Sequence, residues 1–343
     1  MFISWICIIV FLLLLFFPTL SVQGASQGLL LWYQIVVPTL APFMVVTQLV
    51  QAAGGIRILV RPVYPLLHRC FRTSVNGCYI LLCGLLCGYP VGARLCADFC
   101  RRGQISWPEA CCLLAVCNHP SPMFLLGYVQ SQLALPGSLL PMLAAVYLPV
   151  PLLYYGAVTF YSRYPVKPGA AASGKPAPAY PAQGTSGPRT AAPASGCSGT
   201  AGQALPGALR DTAPEETISF GEIILSTSET LVIIGGTLML FSILVTWIHQ
   251  VPFLDSSLRA LLVGFLEITT GVREICQTFP GRPRLLPALL AVTFGGCSGL
   301  LQTYGVTKNA GLSLRHYGSW KLLHTLLSAL ILTLLAAFLP PGP

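Results

Sequence analysis

Seven stretches of this chain are apolar for long enough to cross a lipid bilayer, and that restricts its possible folds more than any other feature. They lie near residues 2–20, 28–53, 109–130, 136–160, 220–249, 285–306 and 320–340. A helix of about 20 apolar residues spans the hydrocarbon. With no water there to satisfy backbone N–H and C=O groups, only helices and closed barrels are viable. These lengths fit helices, so the expected class is all-α: a polytopic helical membrane protein. Only 8% of the 343 residues are charged, against about 25% in soluble domains, which leaves too few charges for an aqueous surface. The net charge of +9 therefore implies no nucleic-acid partner. It belongs to loops that set topology and meet anionic headgroups, and the first expected partner is the lipid bilayer itself.

The membrane part reads as written twice. Leu81-Leu82-Cys83-Gly84-Leu85-Leu86 leads into Gly92-Ala93-Arg94, and Leu113-Leu114-Ala115-Val116 opens the next apolar stretch. In the second half Leu261-Leu262-Val263-Gly264-Phe265-Leu266 leads into Gly271-Val272-Arg273, and Leu289-Leu290-Ala291-Val292 follows. Two short apolar stretches, 75–93 and 257–275, carry polar, helix-breaking interruptions. Internal repeats with broken helices are the usual plan of secondary transporters, with the substrate site at the breaks.

Four regions follow. Residues 1–27 are an N-terminal span or a signal-like segment; the absence of Lys or Arg before the apolar run favours an uncleaved span. Residues 28–160 are the first membrane repeat and 219–343 the second. Between them, 161–218 is rich in Pro, Gly, Ala, Ser and Thr and reads as a disordered linker.

Charge placement predicts the topology. Arg57, Arg61, Arg69 and Arg72 precede the stretch at 75–93, and Arg94, Arg101 and Arg102 follow it. The positive-inside tendency puts both groups in the cytoplasm, so this stretch is expected to be a re-entrant hairpin turning near Gly88-Tyr89-Pro90-Val91-Gly92. Carried forward, the map gives the second half the opposite orientation, with Lys308, Arg315 and Lys321 inside before the last span. The expected fold thus has two inverted repeats, each with a re-entrant or broken helix. Arg259, Arg273, Arg282 and Arg284 then fall outside or in a cavity, against the tendency.

Polar groups at membrane depth are functional candidates because their burial is costly. Asn118-His119-Pro120-Ser121-Pro122 interrupts the apolar run at 109–130. Its prolines remove donors and free carbonyls, so Asn118, Ser121 and those carbonyls suit a polar substrate or cation, and His119 a proton or an anion; a plain proline kink is the alternative. Gly295-Gly296-Cys297-Ser298-Gly299 is the matching region, suited to an anion at a helix start or to close helix packing. Arg94 and Arg273 follow equivalent breaks and can grip a carboxylate or simply mark an interface. Glu229 and Glu267 are candidates for a coupling proton or sodium ion, with salt bridges to basic residues of the bundle as the alternative. Gln302, Lys308, His316 and His324 are assigned to loops.

The thirteen Cys lie mostly in or beside apolar segments without metal-site spacing, so packing is expected, with metal or redox chemistry the lesser reading. No cofactor is implied. Nucleophile-elbow, Walker and zinc-protease motifs are absent, which argues against a hydrolase or kinase.

The run Gly88-Tyr89-Pro90-Val91-Gly92-Ala93-Arg94, the turn Arg102-Gly103-Gln104-Ile105-Ser106 with Glu109-Ala110, Cys117 to Pro122, and Phe294 to Gln302 together resemble the sporulation integral membrane protein YlbJ (SpoVV) family. That family lies within the nucleoside-recognition Gate-domain membrane proteins. The resemblance implies a sporulating Firmicute, the mother-cell-derived outer forespore membrane, and movement of dipicolinate. It also implies a plan similar to concentrative nucleoside transporters. Gly88, Tyr89, Pro90, Gly92, Arg94, Asn118, His119, Ser121, Arg273, Gly295, Gly296, Ser298 and Gln302 form the candidate substrate set. The long linker and His119 depart from the family pattern. Two other functions stay open: a nucleoside or other solute symporter, and a sporulation scaffold that transports nothing. The oligomeric state stays open too, a homo-oligomer included.

Overall fold

The computed structural model describes residues 2–163 and 219–336. Most of the expected linker therefore lies outside the described residues; positions 161–163 instead complete a helix. All the described elements are helical.

Helix α1 (Phe2–Phe16) breaks at Phe17, and α2 (Pro18–Leu31) opens on a proline, which suits a first turn because its missing N–H is not needed there. A π-turn (Trp32–Val36) joins α2 to α3 (Val37–Ala52), giving one apolar helix of 35 residues over Pro18–Ala52. This corrects the expected spans at 2–20 and 28–53: the helix passes position 27 without interruption. Two small residues of α2 have a packing role. A Cβ at Gly24 would collide with Ile243 Cα, and one at Gly28 with Met239 Cα. Their spacing of four places both on one face, and it lets α2 lie directly on α12 in the second half. Trp32 locks the contact, seating its ring on Gly235 and donating Nε1–H to the Leu231 carbonyl at 2.8 Å.

Short helices α4 (Ile56–Val60) and α5 (Tyr64–Phe71) precede α6 (Val75–Cys87), which leaves α5 at 99°. Ser74 caps α6, and α7 (Val91–Arg101) folds back on it. Next come α8 (Trp107–Leu114), a π-turn (Phe124–Val129), α9 (Gln130–Leu133), α10 (Leu139–Tyr147) and α11 (Pro149–Arg163). The second half opens with α12 (Phe220–His249), whose Ser219 and Glu222 form a reciprocal capping box. It continues through α13 (Ser256–Leu266), α14 (Ile268–Thr278), α15 (Leu285–Phe294), α16 (Gly296–Thr307) and α17 (Leu314–Ala336).

Among the described residues five helices are long and apolar enough to span a membrane: Pro18–Ala52, Leu139–Arg163, Phe220–His249, Arg282–Ala310 and Leu314–Leu335. Large apolar side chains such as Trp5, Tyr33, Leu140 and Leu326 face outward on the helices, as lipid contact requires. The expected span at 109–130 is not continuous, because Asn118, Pro120 and Pro122 hold residues 115–121 out of helix.

Apart from the short helices α4 and α5, which have no counterpart after α12, each half runs through a long helix, a helix–break–helix hairpin (α6/α7, α13/α14), a second broken helix and a closing long helix. The hairpins share one device. A Cβ at Gly92 would strike Gly84 Cα and the Cys117 carbonyl, and a Cβ at Gly271 would strike Gly264. Each hairpin thus closes on one glycine from each of its helices, and these are the glycines of the repeated sequence. Among the described residues one buried apolar cluster contains Tyr317 and a second contains Leu332, so α17 runs past both.

Candidate functional site

Four helix breaks meet at one place. The first spans 88–90, where Gly88 takes φ 78° and the Tyr89–Pro90 peptide is cis. The second is 115–121. The third is Glu267, in extended backbone between α13 and α14, and the fourth is Gly295, at φ 84° between α15 and α16. A Cβ on Gly88 would lie against Ser121, one on Gly295 against the Tyr89 ring, and one on Gly296 against the Leu266 carbonyl and Glu267. The first break therefore touches the second and the fourth, and the third touches the fourth.

Breaking a helix frees carbonyls, and at this depth each needs a partner. Side chains supply them. Tyr147 donates to the Pro120 carbonyl at 2.8 Å. Tyr89 donates to the Thr293 carbonyl at 3.2 Å. The Asn118 carbonyl accepts from Lys321 Nζ at 3.2 Å.

Lys321 is the most unusual group of this junction. It is wholly buried, Nζ also donates to Tyr89 Oη at 2.6 Å, and it lies 4.8 Å from the centroid of the Tyr89 ring. Among the described residues no carboxylate stands within ion-pair distance of it. Asn118 Nδ2 donates to Thr303 Oγ1 at 2.9 Å and to Tyr317 Oη at 2.8 Å, which leaves Asn118 Oδ1 buried without a donor. His119 is wholly buried, and among the described residues its two ring nitrogens find no side-chain hydrogen-bond partner; its ring meets that of His324 edge-on at 4.5 Å. His324 Nε2 lies 2.8 Å from the Val146 carbonyl.

Of the candidate substrate residues, the breaks bring together Gly88, Tyr89, Pro90, Gly92, Asn118, His119, Ser121, Gly295 and Gly296. The Ser121 hydroxyl is already used, accepting the Phe124 N–H at 3.1 Å. Ser298 and Gln302 are buried one turn apart on α16; Gln302 is thus not a loop residue. Arg94 is elsewhere, its guanidinium held by the Ser226 carbonyl of α12 and by Asp98 at 3.5 Å. Arg273 and Glu229 are exposed. Glu267 is buried and caps α14, its oxygens accepting the Thr269 and Thr270 N–H groups at 2.9 and 2.7 Å. That position complements the positive end of the helix dipole.

Sequence reasoning missed Lys321, Thr303 and Tyr317, and it misassigned His324 to a loop. The last span begins at Leu314 rather than near 320, which puts Lys321 two turns inside it. Arg315, His316 and Ser319 mask that start in a hydropathy reading. A lysine enclosed by Trp320, Leu322 and Leu323 was the available signal. Seven of the expected packing cysteines (Cys78, Cys83, Cys87, Cys96, Cys111, Cys112 and Cys117) are buried free thiols in the first-half core.

An open cavity of about 530 Å³ lies apart from the breaks, lined by Arg72, Thr73, Glu109, Tyr154 and Tyr161 among others. Its carboxylate is occupied: Glu109 accepts from Thr73 Oγ1 at 2.6 Å and from the Ser74 N–H at 3.0 Å.

No family model matches the chain, and no solved structure matches it significantly. Over 112 residues it is 32% identical to the sporulation integral membrane protein YlbJ of Bacillus subtilis (strain 168). The match takes in 33% of this chain and 28% of that relative, well under two thirds of the relative's length.

Proposed function

We propose that this integral membrane protein carries small polar anions, dipicolinate foremost, across the outer forespore membrane during sporulation. The observation that supports this best is the buried amino group of Lys321, with no carboxylate partner among the described residues, at the junction of four helix breaks. Burying a charge is unfavourable by several kcal/mol unless it is paired. An anion entering beside Lys321 supplies the missing charge. Asn118 and the rings of His119 and His324 line the same junction and orient it.

The repeated element order and the charge placement in the loops support two inverted repeats, each with a re-entrant hairpin, as alternating access needs. Lys321 and His119 are wholly buried, which fits a closed conformation between the inward- and outward-open ones. The setting in sporulation rests on the similarity to YlbJ.

Titrating the purified protein with dipicolinate while following thermal denaturation tests this reading. A saturable rise in the midpoint is expected with dipicolinate and not with uridine. A rise with uridine alone would transfer the reading to a nucleoside carrier.

A further inference from the structure

We propose that Lys321 is a resident cation that takes the place of a coupling sodium ion, so that transport runs without sodium; the inference rests on the carrier reading above. In carriers built on discontinuous helices, carbonyls freed at a break coordinate the coupling ion. Here the freed carbonyl of Asn118 receives Lys321 Nζ at 3.2 Å. The second ligand is the Tyr89 hydroxyl at 2.6 Å. The Tyr89 hydrogen is directed to the Thr293 carbonyl at 3.2 Å, so its oxygen meets Lys321 with a lone pair. The ring of Tyr89, its centroid 4.8 Å from Nζ, adds the quadrupole attraction that rings have for cations. A carbonyl oxygen and a hydroxyl oxygen around one positive centre form the kind of ligand set that a bound monovalent ion would use.

The acidic candidates do not compete for such an ion. Glu267 is turned to the N–H groups of Thr269 and Thr270, and Glu229 is exposed on α12. A sodium ion beside Lys321 would meet like charge at close range with no carboxylate to offset it. An anion at that depth needs a positive partner, and the chain already carries one.

The test compares NaCl with choline chloride at equal ionic strength, using full-length protein. For the wild type, the denaturation midpoint in detergent and the initial rate of dipicolinate influx into proteoliposomes should both be the same in the two salts. In the Lys321→Ala variant, sodium enters the vacated ligand set and should raise the midpoint by roughly 2 °C or more over choline. A sodium-specific rise in the wild-type midpoint, a sodium requirement for wild-type influx, or a Lys321→Ala protein indifferent to sodium would each overturn the proposal. If Lys321→Ala does not fold, Lys321→Gln takes its place, and the wild-type comparison decides without any variant. Absence of dipicolinate influx in both salts would count against the carrier reading alone, because the denaturation comparison uses no substrate.

Discussion

Tyr89 Oη accepts a hydrogen bond from Lys321 Nζ at 2.6 Å, across 232 positions of sequence. The bond joins the break of the first hairpin to the closing helix of the second half. Through the Thr293 carbonyl, the same hydroxyl reaches the end of α15. One phenol thus links three elements, and its removal has readable consequences.

Tyr89→Phe keeps the ring against Gly295 and deletes only the oxygen. Lys321 loses an acceptor and Thr293 a donor, both buried. The expected cost is about 1–3 kcal/mol, seen as a lower denaturation midpoint, with dipicolinate influx reduced at least tenfold. Wild-type stability in this variant would show that the bond contributes nothing.

Gly92→Ala and Gly271→Ala should each be destabilising by roughly 1–3 kcal/mol, because the new methyl meets backbone that cannot swing aside. Gly236→Ala is the control. Nothing lies within 4 Å of a Cβ there, so a gain of about 0.5–1 kcal/mol is expected from helix propensity. Equal behaviour of all three variants would contradict the glycine-to-glycine crossing in the hairpins.

Asn118→Asp installs a carboxylate in the residue whose carbonyl binds Lys321. The protein should stay folded, and its response to dipicolinate in denaturation titrations should weaken at least tenfold, because the internal anion takes the role of the substrate. Unchanged binding would place the substrate elsewhere.

Glu267→Gln removes the charge that caps α14. A loss of about 0.5–2 kcal/mol is expected, with influx retained in the reconstituted protein. Lost influx at unchanged stability would instead make Glu267 a coupling group.

The breaks were legible because prolines and glycines announce them locally: Pro90, Pro120, Pro122 and Gly295 each sit where their backbone chemistry demands an interruption. The long helix Phe220–His249 was legible for the same reason, as an unbroken apolar run. What escaped the sequence depends on contacts between distant segments. Arg94 looked free for a ligand, yet α12 brings it the Ser226 carbonyl. The packing of Gly24 and Gly28 on α12 likewise depends on a helix more than 200 positions away in sequence. Lys321 was hidden by the polar first turns of its own helix.

The most direct measurement is uptake of labelled dipicolinate into proteoliposomes, comparing wild type, Lys321→Met and empty vesicles, with uridine run in parallel. Saturable dipicolinate uptake is expected of the wild type, at least tenfold slower in a Lys321→Met protein that reconstitutes normally, with no uptake of uridine. Saturable uridine uptake without dipicolinate uptake, or equal dipicolinate uptake by the two proteins, would contradict that expectation.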